Sequence, residues 1–201
     1  ELTVATVGAA QGNVGYMATL FGGIANPTDP GFPATLASVT VTNDASIEAS
    51  AFAGMKDLVS VTFNKTVTTL GANAFYGCAA LENLNFTVKA GTVGAKAFYG
   101  CKALKAINIS DSKTTQIGAS AFEGCTALET VTAGANLNRV GKNAFKNTKW
   151  MANQADGAVL LQKVYITNKG NAQEIVVPAE VAYIADSAWQ GNKNVVSVEI
   201  P

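Results

Sequence analysis

The feature that most constrains this chain is a phenylalanine that returns every 23 residues or so. It stands at Phe52, Phe75, Phe98, Phe122 and Phe145, with spacings of 23, 23, 24 and 23. The neighbouring letters return with it, as LGANAFYGC (70–78), VGAKAFYGC (93–101), IGASAFEGC (117–125) and VGKNAFKNT (140–148). IEASAFAGM (47–55) precedes this series and IADSAWQGN (184–192) follows, with Trp189 lying 44 residues beyond Phe145. A period of this length marks an array of small supersecondary units, and it has to be recognised before any local structure is assigned.

A second pattern, a leading Leu followed by two apolar residues separated by one polar residue, alternates with the first. It reads LASVTV (36–41), LVSVTF (58–63), LENLNF (81–86), LKAINI (104–109), LETVTA (128–133) and VVSVEI (195–200). Period-two alternation rich in Val, Ile and Thr predicts a short strand with one buried face. The Ala-Phe segments, ending in Gly, are too short for a helix and predict a single helical or 3₁₀ turn. One strand and one turn cannot bury their own apolar face, but stacked coils bury each other's. The expected fold is therefore an α/β repeat solenoid: a right-handed superhelix of about 23-residue coils with a parallel sheet on one face. Val39, Val61, Leu84, Ile107 and Val131 are expected in one buried column and the phenylalanines in another, as a spine on the convex side.

With Gly, Ala-Phe and Gly-Cys recurring at fixed offsets, the sequence resembles the BspA-like leucine-rich repeat, over 36–148 and again over 172–201. On that reading residues 1–35 form an N-terminal leader or cap, with Leu20-Phe21-Gly22 as a degenerate first coil. Residues 36–148 are regular repeats, 149–171 an irregular insertion, and 172–201 resumed repeats that stop short. In 149–171 the strand pattern due after Met151 is missing. AVLL and VYIT, flanked by Asp156-Gly157 and Asn168-Lys169-Gly170, predict a hairpin or extended loop there. The chain opens on Glu1 without a basic-then-apolar leader, as expected of a piece of a longer protein.

Composition removes several function classes. Fourteen basic and fourteen acidic residues leave no net charge, so no electrostatic footprint for nucleic acid or an anionic membrane surface is expected. No apolar run is long enough for membrane insertion as a helix. Histidine is absent, which excludes His-based triads and His-ligated zinc. The glycine-rich run 134–143 has six residues between Gly134 and Gly141, and Asn after Lys142, so it makes no phosphate cradle. Cys78, Cys101 and Cys125 share one repeat position and should stack as an inward row of reduced, buried thiols; parallel side chains oppose a bridge, and a straight row offers a metal no converging ligands. No catalytic residue, metal or cofactor is assigned.

Function is expected on the outward strand face. Glu82, Lys105 and Glu129 follow the leading Leu on successive rungs and form an alternating charged ladder, each exposed pair worth at most about 1 kcal/mol. Two rungs place Glu82 and Glu129 about 10 Å apart, beyond the roughly 6.5–9.5 Å of an inverting glycosidase pair. Thr62, Asn85, Asn108 and Thr132 form a neutral hydrogen-bonding stripe beside them, and Tyr76 and Tyr99, after the phenylalanines, are candidate contact residues on the turns. Such a surface is expected to bind through the open face rather than a pocket. The family resemblance implies an extracellular or cell-surface, non-enzymatic protein-interaction module of the adhesion type: a monomeric part of a larger bacterial protein, with a host extracellular-matrix or surface protein as partner. The alternative is a glycan-binding, accessory or spacer module of a larger surface protein or enzyme.

Overall fold

The computed structural model describes residues 2–4, 36–43, 45–111 and 113–201; the predicted degenerate coil at Leu20-Phe21-Gly22 lies outside them. The chain winds into a parallel β-solenoid of about seven turns. One column of rungs comprises β1 (Leu2–Val4), β2 (Ser38–Val41), β4 (Ser60–Phe63), β6 (Asn83–Asn85), β8 (Ala106–Ile109) and β10 (Thr130–Ala133). A second column of two-residue rungs comprises β3 (Ser46–Ile47), β5 (Thr69–Leu70), β7 (Thr92–Val93), β9 (Gln116–Ile117) and β11 (Arg139–Val140). All pairings in both columns are parallel, and Val39, Val61 and Leu84 stand in register, as do Ile107 and Val131. Val39, Val61 and Ile107 are buried; Leu84 and Val131 are half-buried.

The Ala-Phe segments form successive i→i−3 turns, as in Ala53 N–H to Ser50 O and Met55 N–H to Phe52 O. In each turn from 50 to 120 three N–H groups reach the next coil. Asn73, Phe75 and Gly77 donate to the carbonyls of Ala95, Ala97 and Tyr99, and the same triple recurs from the turns at 50, 96 and 120. The phenyl rings stack face to face, 5.0–5.5 Å apart and within 7° of parallel from Phe52 to Phe145. That spacing matches the ~4.8 Å rung separation of a sheet, so one ring per coil fills the spine without a gap.

The two repeat glycines serve different ends. Gly77, Gly100 and Gly124 adopt φ of +73°, +72° and +77°, a region closed to most side chains. Gly94 has no such need; a Cβ there would sit 2.4 Å from the carbonyl carbon of Gly71, so the coils can approach only where it is absent. The cysteine row is buried and unbridged. Each thiol donates to a phenylalanine carbonyl of the preceding coil: Cys78 to Phe52 O at 3.0 Å, Cys101 to Phe75 O at 3.2 Å and Cys125 to Phe98 O at 3.0 Å.

Beyond Phe145 the coil path changes. Thr148, in the cysteine position, caps the four-residue helix α1 (Lys149–Ala152) by accepting from Met151 N–H, and Trp150 closes the phenyl stack at 4.8 Å from Phe145. Strands β12 (Gly157–Leu161) and β13 (Val164–Lys169) then pair antiparallel, turning at Gln162-Lys163 with Gln162 at φ +56°. The Gln162 side chain donates to Ala133 O, meeting the edge of β10 where a further rung would otherwise stand. Parallel pairing resumes between β14 (Glu174–Val176) and β16 (Ser197–Glu199), and between β13 and β15 (Tyr183–Ile184). Tyr165, Ile175, Val177 and Ala188 form a separate small core here.

Candidate functional site

The strand column is not continuous. β4 pairs with β6 and β8 with β10, but among the described residues no ladder joins β6 to β8. Glu129 and Thr130 both donate to Lys105 O, and Val59 and Ser60 to Ala37 O, whereas Lys105 and Ala106 have no matching bond to Glu82 O. The same two coils remain joined elsewhere, through Ala103 N–H to Ala79 O at 3.1 Å and through Leu70 against Val93. The coils thus touch at their turns and at the two-residue rungs, and part at the longer strands.

Side-chain size changes at the same place. The inward position at the strand end holds Val41, Phe63, Phe86, Ile109 and Ala133 in succession. Phe63 and Phe86 meet edge to face, at 71° and 5.2 Å, not parallel as in the turn spine. Phe63 stands across the spine, at 82° to Phe52, while Phe86 lies within 20° of Phe75, 6.4 Å away. Among the described residues no ladder joins the strand before Phe86 to the strand ending in Ile109, and Leu84 and Phe86 are left half-buried at this break.

The result is a cleft of about 330 Å³. Its polar walls include Glu82, Asn85, Lys105, Asn108 and Thr132, and its floor Leu84, Phe86, Val88 and Ile107. Five of the residues expected from sequence therefore converge on one place, but on a cleft and not on an unbroken face. Lys105 spans the gap to Glu82 at 3.6 Å. The alternating ladder goes no further as ion pairs, because Glu129 is taken by Lys149 of α1, which donates to its Oε1. That hydrogen bond and charge, with a smaller contribution from Lys105, hold the Glu129 carboxyl below its ordinary pKa. Thr62 sits one rung away as acceptor for the Asn85 amide at 3.4 Å. Tyr76 and Tyr99 stack in parallel at 5.0 Å, but on the turn column and not among the residues lining the cleft. The apolar floor escaped sequence reasoning, although two consecutive phenylalanines in a column otherwise holding Val, Ile and Ala are its signal.

The cleft holds one acidic–basic pair, Glu82 and Lys105, exposed to solvent, and no set of three metal-ligating side chains exists among the described residues. Burial pushes the Cys78 and Cys101 thiols far up, away from nucleophilic thiolate. No helix among the described residues is long and apolar enough to cross a membrane.

Stacked coils with a leucine at each strand entry and a sheet on one side define a leucine-rich repeat solenoid. The chain belongs to the BspA-type leucine-rich repeat family, whose model matches six copies over residues 34–152. Among solved structures it is similar to a leucine-rich cell surface protein from Faecalibacterium prausnitzii, with 21% identity over 82% of this chain and a TM-score of 0.53. It is also similar to a leucine-rich repeat protein from Bacteroides ovatus, with 19% identity over 81% of this chain and a TM-score of 0.54. The chain spans 39% and 50% of the lengths of those two proteins. No curated protein matches it.

Proposed function

We propose that this chain is a non-enzymatic protein-interaction module, displayed outside the cell as part of a larger surface protein, and that it engages its partner at the cleft in the strand face. The observation that carries this reading is the convergence of Glu82, Lys105, Asn85, Asn108 and Thr132 above an apolar floor. A half-exposed phenyl ringed by hydrogen-bonding groups is the form of a modest protein-binding site, with one apolar anchor and a polar rim. The absence of histidine, and so of a near-neutral imidazole base, supports binding over catalysis. Similarity to a solved structure described as a leucine-rich cell surface protein supports the extracellular setting.

The test is binding to a panel of host extracellular-matrix proteins and a panel of glycans, by wild type and by Glu82→Ala/Lys105→Ala/Glu129→Ala. Protein binding lost in the triple variant at unchanged melting temperature supports the proposal. Binding that persists in the variant removes this face from consideration, and binding to glycans alone replaces the protein partner with a carbohydrate.

A further inference from the structure

A second gap lies on the opposite, turn side of the molecule. In the turns at 50, 73, 96 and 120 three N–H groups each donate to the following turn, at 2.6–2.9 Å. The corresponding groups of the last regular turn, Asn143, Phe145 and Asn147, have no acceptor among the described residues, although Phe145 is only 1% exposed. The turn that should meet them is missing, because residues 157–169 went into the β12–β13 hairpin. The next Phe-type turn, around Trp189, stands further on and leaves a cavity of about 530 Å³ between it and the turn at 140–148.

The far wall bears the marks of the same omission. At the position of the close-contact glycines stands Ala185, and this residue lines the cavity. Its methyl is tolerated because no turn presses on it as Gly71 presses on Gly94. The Thr167 hydroxyl donates to Ala188 O at 2.8 Å, replacing one N–H of the missing turn. Among the described residues no comparable replacement exists on the donor wall. A buried N–H without an acceptor costs free energy comparable to a lost hydrogen bond.

We infer that this cavity is a second binding site, for a turn-forming polypeptide segment of a partner that lends three main-chain carbonyls to Asn143, Phe145 and Asn147. Three donors on alternate residues match a polypeptide main chain, since four turns of this chain use the same triple to hold a peptide turn. The volume lies within the range of small-ligand sites and accepts a short turn. Charge narrows the choice. In the regular stack the residue after phenylalanine pairs across rungs, Lys146 with Glu123 at 3.5 Å. Lys146 and Lys142 line the cavity with one acid, Asp186, which Arg139 pairs at 3.4 Å, so a partner turn bearing a carboxylate is favoured. This site is separate from the strand-face cleft and does not depend on it.

The probe is a head-to-tail cyclised heptapeptide with the sequence GASAFEG of residues 118–124, titrated into the whole chain and followed by amide NMR. The expected result is saturable shifts at the Asn143, Phe145 and Asn147 amides with a dissociation constant below about 1 mM. The variant peptide GASAFKG binds several-fold more weakly, and Gln190→Trp, which fills the cavity mouth, weakens binding at least about tenfold at unchanged fold. No shift at these amides at millimolar peptide overturns the proposal. So do shifts confined to the strand face, or slow exchange of the Phe145 amide in the free protein, which would mean its donor is already bonded. The Glu82→Ala/Lys105→Ala/Glu129→Ala variant keeps this binding if the proposal holds, so failure of one site is distinguishable from failure of the other.

Discussion

The coils up to Phe145 and the residues after it use nearly the same letters to different effect. In the regular array a glycine such as Gly94 is needed because the preceding coil lies against it, while Ala185 fills the equivalent place at the cavity wall. Phe98 is fully buried between parallel neighbours, whereas Trp189 is partly exposed and meets Tyr165 at 44°. Val176 and Val196 are 65% and 80% exposed, against 37% for Val59, the counterpart of Val196 in a regular coil. A repeat letter therefore takes its value from the coil beside it: the same residue is required where a neighbour is present and optional where it is not.

The sharpest way to break this comparison is to cut one ring from each region. Phe98→Ala should cost about 3–5 kcal/mol, because the cavity is walled by rings that cannot collapse. Trp189→Ala should cost about 1–2 kcal/mol, since part of its surface already faces water. Denaturant unfolding of the two variants measures both; equal losses would mean that the two regions are packed alike.

The glycine swap comes next. Gly94→Ala forces its methyl against the backbone of Gly71 and Ala72 and should cost about 2–3 kcal/mol, opening the stack locally. Ala185→Gly removes one buried methyl and should cost about 1 kcal/mol. Melting curves of the pair should preserve this order, and its reversal would place a tight coil contact at 185.

The thiols extend the comparison to pH. Burial raises Cys78 and Cys101 above the ordinary value of 9.0, so the folded state holds protons that the unfolded chain releases. Their contribution is therefore fully present below about pH 9 and is lost as pH rises, at about 1.4 kcal/mol per pH unit for each thiol. The stability of Cys78→Ala/Cys101→Ala relative to wild type, followed from pH 8 to 10.5, should show that difference. In native protein at pH 8 a thiol reagent should find little to react with, rising to three thiols on denaturation.

The smallest effect is expected at the surface. Glu129→Gln removes the pair with Lys149, which joins the regular array to α1 entirely in solvent, and should shift the melting temperature by no more than about 1 °C. A larger loss would show that the junction at 148–152 depends on this charge and not on Trp150 and the Thr148 cap.

Much of this was legible from sequence, because period is an unusually direct record of packing. The 23-residue return of Phe75, Phe98 and Phe122 specifies a stack, and the alternation in SVTF and AINI specifies which strand face points inward. The row of buried thiols and the grouping of Glu82, Lys105, Asn85 and Asn108 on one face follow from register alone. The two gaps do not. One lies just past two phenylalanines of ordinary hydrophobic character that meet edge to face at 71°, and ring orientation is a property of three-dimensional neighbours. The other arises because the β12–β13 hairpin removes a turn from one column, leaving the donors of Asn143, Phe145 and Asn147 without acceptors. Sequence determined which residues recur, and so the direction in which each coil faces. Only the tertiary structure decided where successive coils fail to touch, because contact between coils depends on side-chain volume and ring tilt summed across two rungs, which no single repeat contains.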